Sequence, residues 1–442
     1  MFLKFFKSSS KKQSAPTPAL NIRVVIMGKD DTSTVGIKQV LSKSFESVPF
    51  LSVAFEDDFA PEDFLNPNHK NFFDFFDTGI KALKKHQADV LLRFYQDGAN
   101  IRFNFLTPDM YFIDTPPFFS SMFGIYLPFD YFQTHSLPPQ IAHLICASFV
   151  ALCLKRHSEC PQKLKDLINI LSKNKMPQGI EKQFMPHVLN LLAFNYLALH
   201  ANSFQKKDMH LILSLITSAK NTSKNTYDAA LNGAMLTLLG QMYACAAESK
   251  NADSIMFFKR AAENTKKALK CFNKYVFPYD SGRLARVLAK FYFSLFKLSD
   301  NRQTLRDAVF YMREAEKIFT FSSFPNLWAD IQGDLGDYLV QLSFYSKNKE
   351  VAETAIQNYK NRQKFYQKQT HPILWAKTQK SIADTYYYLG QNLQNAAYLE
   401  KASDSYIEAF EVFEQSGETE PLPIIENVLK KTQENFFRLN NK

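Results

Sequence analysis

Pro325-Asn326-Leu327-Trp328-Ala329, with Gln332 behind it, and Pro372-Ile373-Leu374-Trp375-Ala376, with Gln379 behind it, are two copies of one segment set 47 residues apart. Each copy runs on into a large apolar residue, a residue with little side chain, and a Leu or aromatic three further on. These are Leu335-Gly336 with Leu339, and Ile382-Ala383 with Tyr386. Stepping back along the chain finds the same trio at Leu288-Ala289 with Tyr292, Leu239-Gly240 with Tyr243, and Leu192-Ala193 with Tyr196. The small positions are spaced 47, 49, 47 and 47. A fixed period of roughly 20–50 residues is the signature of a repeat architecture.

A second series runs behind the first: Ile212, Ala261, Ala308, Ala355 and Ala402. The residues four and seven beyond each stay on one helical face. Examples are Ile216 and Ala219, Met312 and Ala315, Tyr406 and Ala409. Small residues on that face let two helices approach closely, and large ones fill the groove beside them. Pro278, Pro325 and Pro372 stand before the first helices, where Pro is tolerated and ends the preceding helix. The period extends outward in both directions. Forty-seven before Ala193 lies Cys146, flanked by Ile145 and Phe149, with Leu164, Leu167, Ile168 and Leu171 as its second helix. Forty-seven after Ala383 lies Lys430, a charge at the close-packing position, which predicts a solvated closing helix. The expected fold is mainly α: an α-α superhelix of six hairpins over 137–420, closed by a capping helix over 421–442, behind a small α/β domain.

These residues resemble the tetratricopeptide repeat, whose signature is Leu-Gly-x-x-Tyr in one helix and Ala-x-x-x-Phe-x-x-Ala in the next. The period is longer here than the family's usual length of about 34 residues, as longer helices would make it. The resemblance implies a concave groove lined by the first helix of each hairpin, which in this family holds a peptide or protein. Carried onto this chain, the groove positions are His187 and Asn190; Arg283, Arg286 and Lys290; Asp330 and Asp337; Lys377, Lys380 and Asp384. Two basic clusters flank an acidic one. The implied partner is a protein or peptide bearing acidic groups, its carboxylates taken by charge-assisted hydrogen bonds. The Lys/Asn set of the carboxylate-clamp members is not reproduced in order, so a captured C-terminus is not implied.

Ahead of the array, residues 1–20 read as a tail in which Phe and Lys pair over the first seven positions, so that residues 1–12 could graze an anionic membrane. From 21 to 107 the pattern is β-α-β-α-β-β. Ile22–Met27, Phe50–Phe55 and Asp89–Phe94 are short apolar strands, and Asn100–Leu106 alternates behind an Asp97-Gly98 turn. This order resembles the small α/β domain at the amino end of TolB-type proteins and of some bacterial regulators with helical repeats. The resemblance implies an interaction or sensory platform, and so an alternative function in which this domain binds a small ligand and signals through the repeats. Gly28-Lys29-Asp30-Asp31-Thr32-Ser33-Thr34 sits between strand and helix as a phosphate loop would, but it lacks GxxxxGK[ST] and carries two repelling acids. A helix N-cap explains it. Residues 108–136, rich in Pro and aromatics, read as a connector packed across the junction.

The bulk properties agree with a folded chain. Of 442 residues 46% are apolar, with only 13 Gly. A net charge of +10 and pI near 9.1 permit an acidic partner, but no long basic run or reading motif points to nucleic acid. Five Cys without a CxxC pair suit a reducing compartment. The longest apolar run, Ile141–Leu154, is 14 residues against the ~20 a membrane span needs, so the expected location is the cytoplasm. His143, Cys146, Cys153, His157 and Cys160 could suggest a metal, but a single helix cannot surround an ion tetrahedrally, and Cys146 is accounted for by packing. HExxH, G-x-S-x-G and dinucleotide fingerprints are absent. No catalytic residue, metal or cofactor is expected.

Overall fold

The computed structural model describes residues 20–28, 35–46, 48–56, 69–97, 100–108, 124–132, 137–173, 182–223, 229–249 and 253–440. The tail, its membrane-grazing segment, most of the 28–34 loop and much of the expected connector lie outside these residues.

The sheet domain has three parallel strands, β1 (Ile22–Met27), β2 (Leu51–Glu56) and β3 (Val90–Asp97), in the order β2-β1-β3. The helices α1 (Val35–Glu46) and α2 (His69–Lys85) make the crossovers. β4 (Asn100–Leu106) pairs antiparallel with β3, Asp97 opposite Asn100, as the turn chemistry predicts. A fifth strand, β5 (Gly124–Pro128), pairs with β4. The sheet therefore does not end at 107, and the stretch read as a connector supplies its edge. Ile125 and Leu127 are buried while Tyr126 is not, which is the period-two pattern of a one-sided edge strand.

The helical array begins with α3 (Pro139–Leu152) and α4 (Cys160–Lys173). Next come α5 (Met185–His200) with α6 (Lys206–Thr222), and α7 (Ala229–Glu248) with α8 (Ser254–Cys271). Three hairpins follow whose first helices are each 22 residues long. They are α9 (Pro278–Ser299) with α10 (Arg302–Glu316), α11 (Pro325–Ser346) with α12 (Lys349–Phe365), and α13 (Pro372–Leu393) with α14 (Ala396–Gln415). Each helix packs on its hairpin partner, and each second helix also packs on the first helix of the next pair, most extensively from α8 onward. α15 (Leu422–Asn440) lies on α14 and closes the series, with Lys430 exposed. Six hairpins and a cap are what the period predicts.

The small residues act as expected. A Cβ on Gly336 would collide with the ring of Tyr359, and one on Gly240 with the Thr265 hydroxyl. Tyr359 and Thr265 are each four beyond the second-series Ala of their own hairpin, so the two series meet face to face. The turns inside the last three hairpins repeat as well. Asp300, Lys347 and Gln394 adopt left-handed φ of 50°, 51° and 49°. The next residue in each, Asn301, Asn348 or Asn395, accepts a hydrogen bond from the backbone two residues on and caps the second helix.

The sheet is built onto the first hairpin. Phe149 of α3 stands edge-on to Phe45 at 5.7 Å and to Phe105 at 5.9 Å. Asp89 receives Arg156 and His157, each at 3.5 Å. One apolar core runs unbroken from Ile22 to Tyr338. A solenoid needs its terminal faces covered, and here the sheet covers one end and α15 the other.

Candidate functional site

The first helices of the last three hairpins, α9, α11 and α13, present one stripe each, its successive members three, four or seven residues apart. On α9 this stripe is Arg283, Arg286, Lys290 and Lys297; on α11 it is Asp330, Asp334 and Asp337; on α13 it is Lys377, Lys380 and Asp384.

The expected groove residues fall into four groups. Arg283 and Arg286 are 6% and 3% exposed, and they serve the wall itself. Arg283 donates to the Tyr279 hydroxyl at 3.2 Å. Arg286 reaches across the hairpin boundary to Asp334 at 3.4 Å and Asp330 at 3.9 Å. Lys380 and Asp384 pair with each other at 2.7 Å on one helix, and Lys377 is exposed. Lys290 and Asp337 face a cavity of about 410 Å³. His187 and Asn190 are not in the groove. His187 lies 4.9 Å from the ring of Tyr126 in β5, and Asn190 is 2% exposed, since the sheet occupies that end of the array.

The cavity spans three first helices. Its lining includes Cys245 and Glu248 of α7, Val287, Lys290, Phe291 and Lys297 of α9, and Asp334 and Asp337 of α11. The floor is apolar and the mouth charged. Lys290 stands 3.8 Å from Asp334, and the Lys297 ammonium lies 5.1 Å from the Phe293 ring. Asp337 keeps an open side to water but is hemmed in by the surrounding helices. That loss of water pushes its carboxyl above the usual range, against the hydrogen bond donated by Tyr359 at 2.7 Å. Asp330 is raised by burial too, with Arg286 opposing. Glu248 is raised by burial, with Lys297 pulling it back.

Sequence reasoning missed Glu248, Asp334 and Lys297. Lys297 is seven residues beyond Lys290, so continuing the stripe to the end of α9 would have found it. Asp334 is one residue from the Gly333 that matches Arg286, and only three-dimensional register distinguishes the two.

The repeated Gln residues of the opening motif have a structural role. Gln332, fully buried, donates to Glu316 of the preceding hairpin at 2.6 Å and accepts from Asn361 of its own at 3.2 Å. Gln379 repeats this one period later, accepting from Gln363 at 2.8 Å and donating to Glu408 at 2.5 Å. Each Gln ties three helices together.

Cys146, Cys153 and Cys160 are buried, and burial pushes the Cys146 and Cys160 thiols up to about 12. Such thiols are inert packing groups. No group of three or more His, Cys, Asp or Glu able to hold a metal occurs among the described residues. Among the described residues no helix is long and apolar enough to cross a membrane. The chain matches no protein-family model and no curated protein.

Proposed function

We propose that the protein is a non-catalytic interaction scaffold whose helical array holds a segment of a protein partner in the cavity between α7, α9 and α11. The observation that carries this reading is the cavity's construction. About 410 Å³ of space has an apolar floor and a mouth carrying Lys290, Lys297, Glu248, Asp334 and Asp337. Recognition sites for polypeptide combine these two features, apolar area for affinity and a few placed charges for orientation. The segment carries an acidic side chain for Lys297 and Lys290, which receive it through charge-assisted hydrogen bonds. Asp337, whose Oδ1 is taken by the Tyr359 hydroxyl, favours a donor beside that acid.

The test is affinity capture with the full chain against the Lys290→Glu, Lys297→Glu double variant. Lys297 is exposed, whereas Lys290 stands beside Asp334, so Lys297→Glu alone is captured in parallel and thermal melting of both variants is compared with the parent's. The reading expects at least one protein held by the parent and lost by the variants. If every captured protein is held equally by all three, the cavity is not the binding site.

A further inference from the structure

Three successive turns of the array have a composition unlike the rest of the surface. They join α8 to α9, α10 to α11, and α12 to α13. Residues 270–281, 317–328 and 364–375 contain five Lys (270, 274, 317, 364 and 368), no Glu, and a single Asp, the buried Asp280. They also expose large apolar groups: Tyr275 is 72% accessible, Phe321 48% and Val276 38%.

The arrangement repeats with the fold. Lys274, Phe321 and Lys368 occupy the same position in the three turns, 47 residues apart. Each stands against an aromatic ring. Lys274 is 5.3 Å from the Tyr275 ring, Phe321 is edge-on to Trp328 at 5.1 Å, and Lys368 is 5.3 Å from Trp375. Trp328 and Trp375 are again one period apart. The turns lie side by side: Tyr279 of the first is 5.9 Å from Phe319 and 6.2 Å from Phe324 of the second. Equivalent positions on neighbouring hairpins are offset by about one helix diameter, ~10 Å, so the lysines and rings form a row along one edge. The row ends at the following turn, 415–421, which brings in Glu418 and Glu420.

We propose that this edge is a docking surface for an anionic lipid membrane. A row of ammonium groups, of which only Lys317 is paired with a carboxylate, complements a layer of negative headgroups. Tyr and Trp with one polar end suit the depth at which headgroups give way to hydrocarbon. A peptide added as a strand would need an open backbone edge, and these turns offer none. Their backbones close on themselves, Phe277 on Asn273 at 2.7 Å, Phe324 on Thr320 at 2.9 Å and His371 on Gln367 at 2.8 Å. Lys317 is held by Glu314, so Lys270, Lys274, Lys364 and Lys368 carry the charge. The site is separate from the concave cavity, leaving that cavity open when the edge is docked.

The experiment is co-sedimentation of the full chain with phosphatidylcholine vesicles, with and without phosphatidylserine. The expected result is sedimentation that depends on phosphatidylserine and falls with salt. Two lysines near such a surface contribute about 1 kcal/mol each, so Lys274→Glu with Lys368→Glu lowers the partition at least about tenfold. An independent pair, Tyr275→Ser with Phe321→Ser, lowers it several-fold. Both pairs are exposed, and thermal melting read by circular dichroism stays at the parent value. No sedimentation with phosphatidylserine vesicles at low salt overturns the proposal. So does undiminished sedimentation of both variants, which would place the contact elsewhere, residues 1–12 included. Loss of a captured protein by both variants, with no vesicle binding by the parent, assigns the edge to a protein instead.

Discussion

The Arg286 guanidinium of α9 stands 3.4 Å from the Asp334 carboxylate of α11, forty-eight residues on in the chain. Only the 47-residue step brings the two together, and the contact converts a groove cation into part of the wall. Arg286→Ala leaves Asp330 and Asp334 with one cation fewer in a poorly hydrated setting. Removing one member of such a cluster costs about 3 kcal/mol. The expected outcome is a lower urea midpoint, whereas Lys377→Ala, an exposed residue, stays within about 0.5 kcal/mol of the parent.

Gln332→Leu removes the hydrogen bonds that join α10, α11 and α12, leaving Glu316 and Asn361 without that partner. A deleted partner in a buried network costs about 1–3 kcal/mol. Gln379→Leu should cost a similar amount. Hydrogen exchange should show the loss concentrated at the hairpin boundary concerned, because solenoid stability is a sum over neighbouring units.

Gly336→Ala places a methyl group where the Tyr359 ring lies, and overpacking of this kind costs about 1–3 kcal/mol. Ala383, the matching position one hairpin on, already accommodates a methyl. A melting curve for Gly336→Ala at or above the parent's would contradict the close-packing account of the period.

Asn348→Ala deletes the cap that receives the Glu350 backbone N–H. A lost N-cap costs about 1 kcal/mol. Asn301 and Asn395 hold the same position, so each single change should give a similar drop, read by chemical denaturation.

Asp337 has a carboxyl raised above its ordinary value by loss of water, with Asp334 adding to the shift and the Tyr359 hydroxyl opposing it. The folded state then binds this proton more tightly than the unfolded chain does. Stability contributed by Asp337 falls as pH rises from the unfolded value through the raised folded one, and it is recovered on acidification. Asp337→Asn should therefore raise stability at neutral pH and lessen the gain on acidification through that window. A variant with the parent's full pH dependence would contradict this.

The architecture was legible because its determinants are local and periodic. Ala289, Gly336 and Ala383 recur at positions that sterics fix, and Pro278, Pro325 and Pro372 mark the helix starts. Even Cys146 and Lys430 could be placed by counting. The sheet's edge was not legible, because Gly124-Ile125-Tyr126-Leu127-Pro128 is too short for its alternation to stand out among the aromatics around it. The repeated Asn caps were overlooked because each is a single polar residue in a polar turn. The groove was half legible. Lys290 and Asp337, placed by the resemblance, line the cavity between the first helices, but the resemblance could not tell that Arg286 is consumed by Asp334 and Asp330. It could not foresee either that the sheet would fill the groove at His187. Both depend on contacts between units, which no single-helix pattern encodes.

The proposal that the cavity receives a protein segment is tested most directly by photo-crosslinking from within it. A photoreactive side chain at position 297, at the mouth, should give a defined adduct with a partner. The same group in place of Phe310, an exposed residue on α10 that is 57% accessible, should not. Competition by excess unlabelled protein should abolish the adduct at 297. Equal labelling from both positions, or none from 297 while partners still co-purify with the full chain, would contradict the proposal.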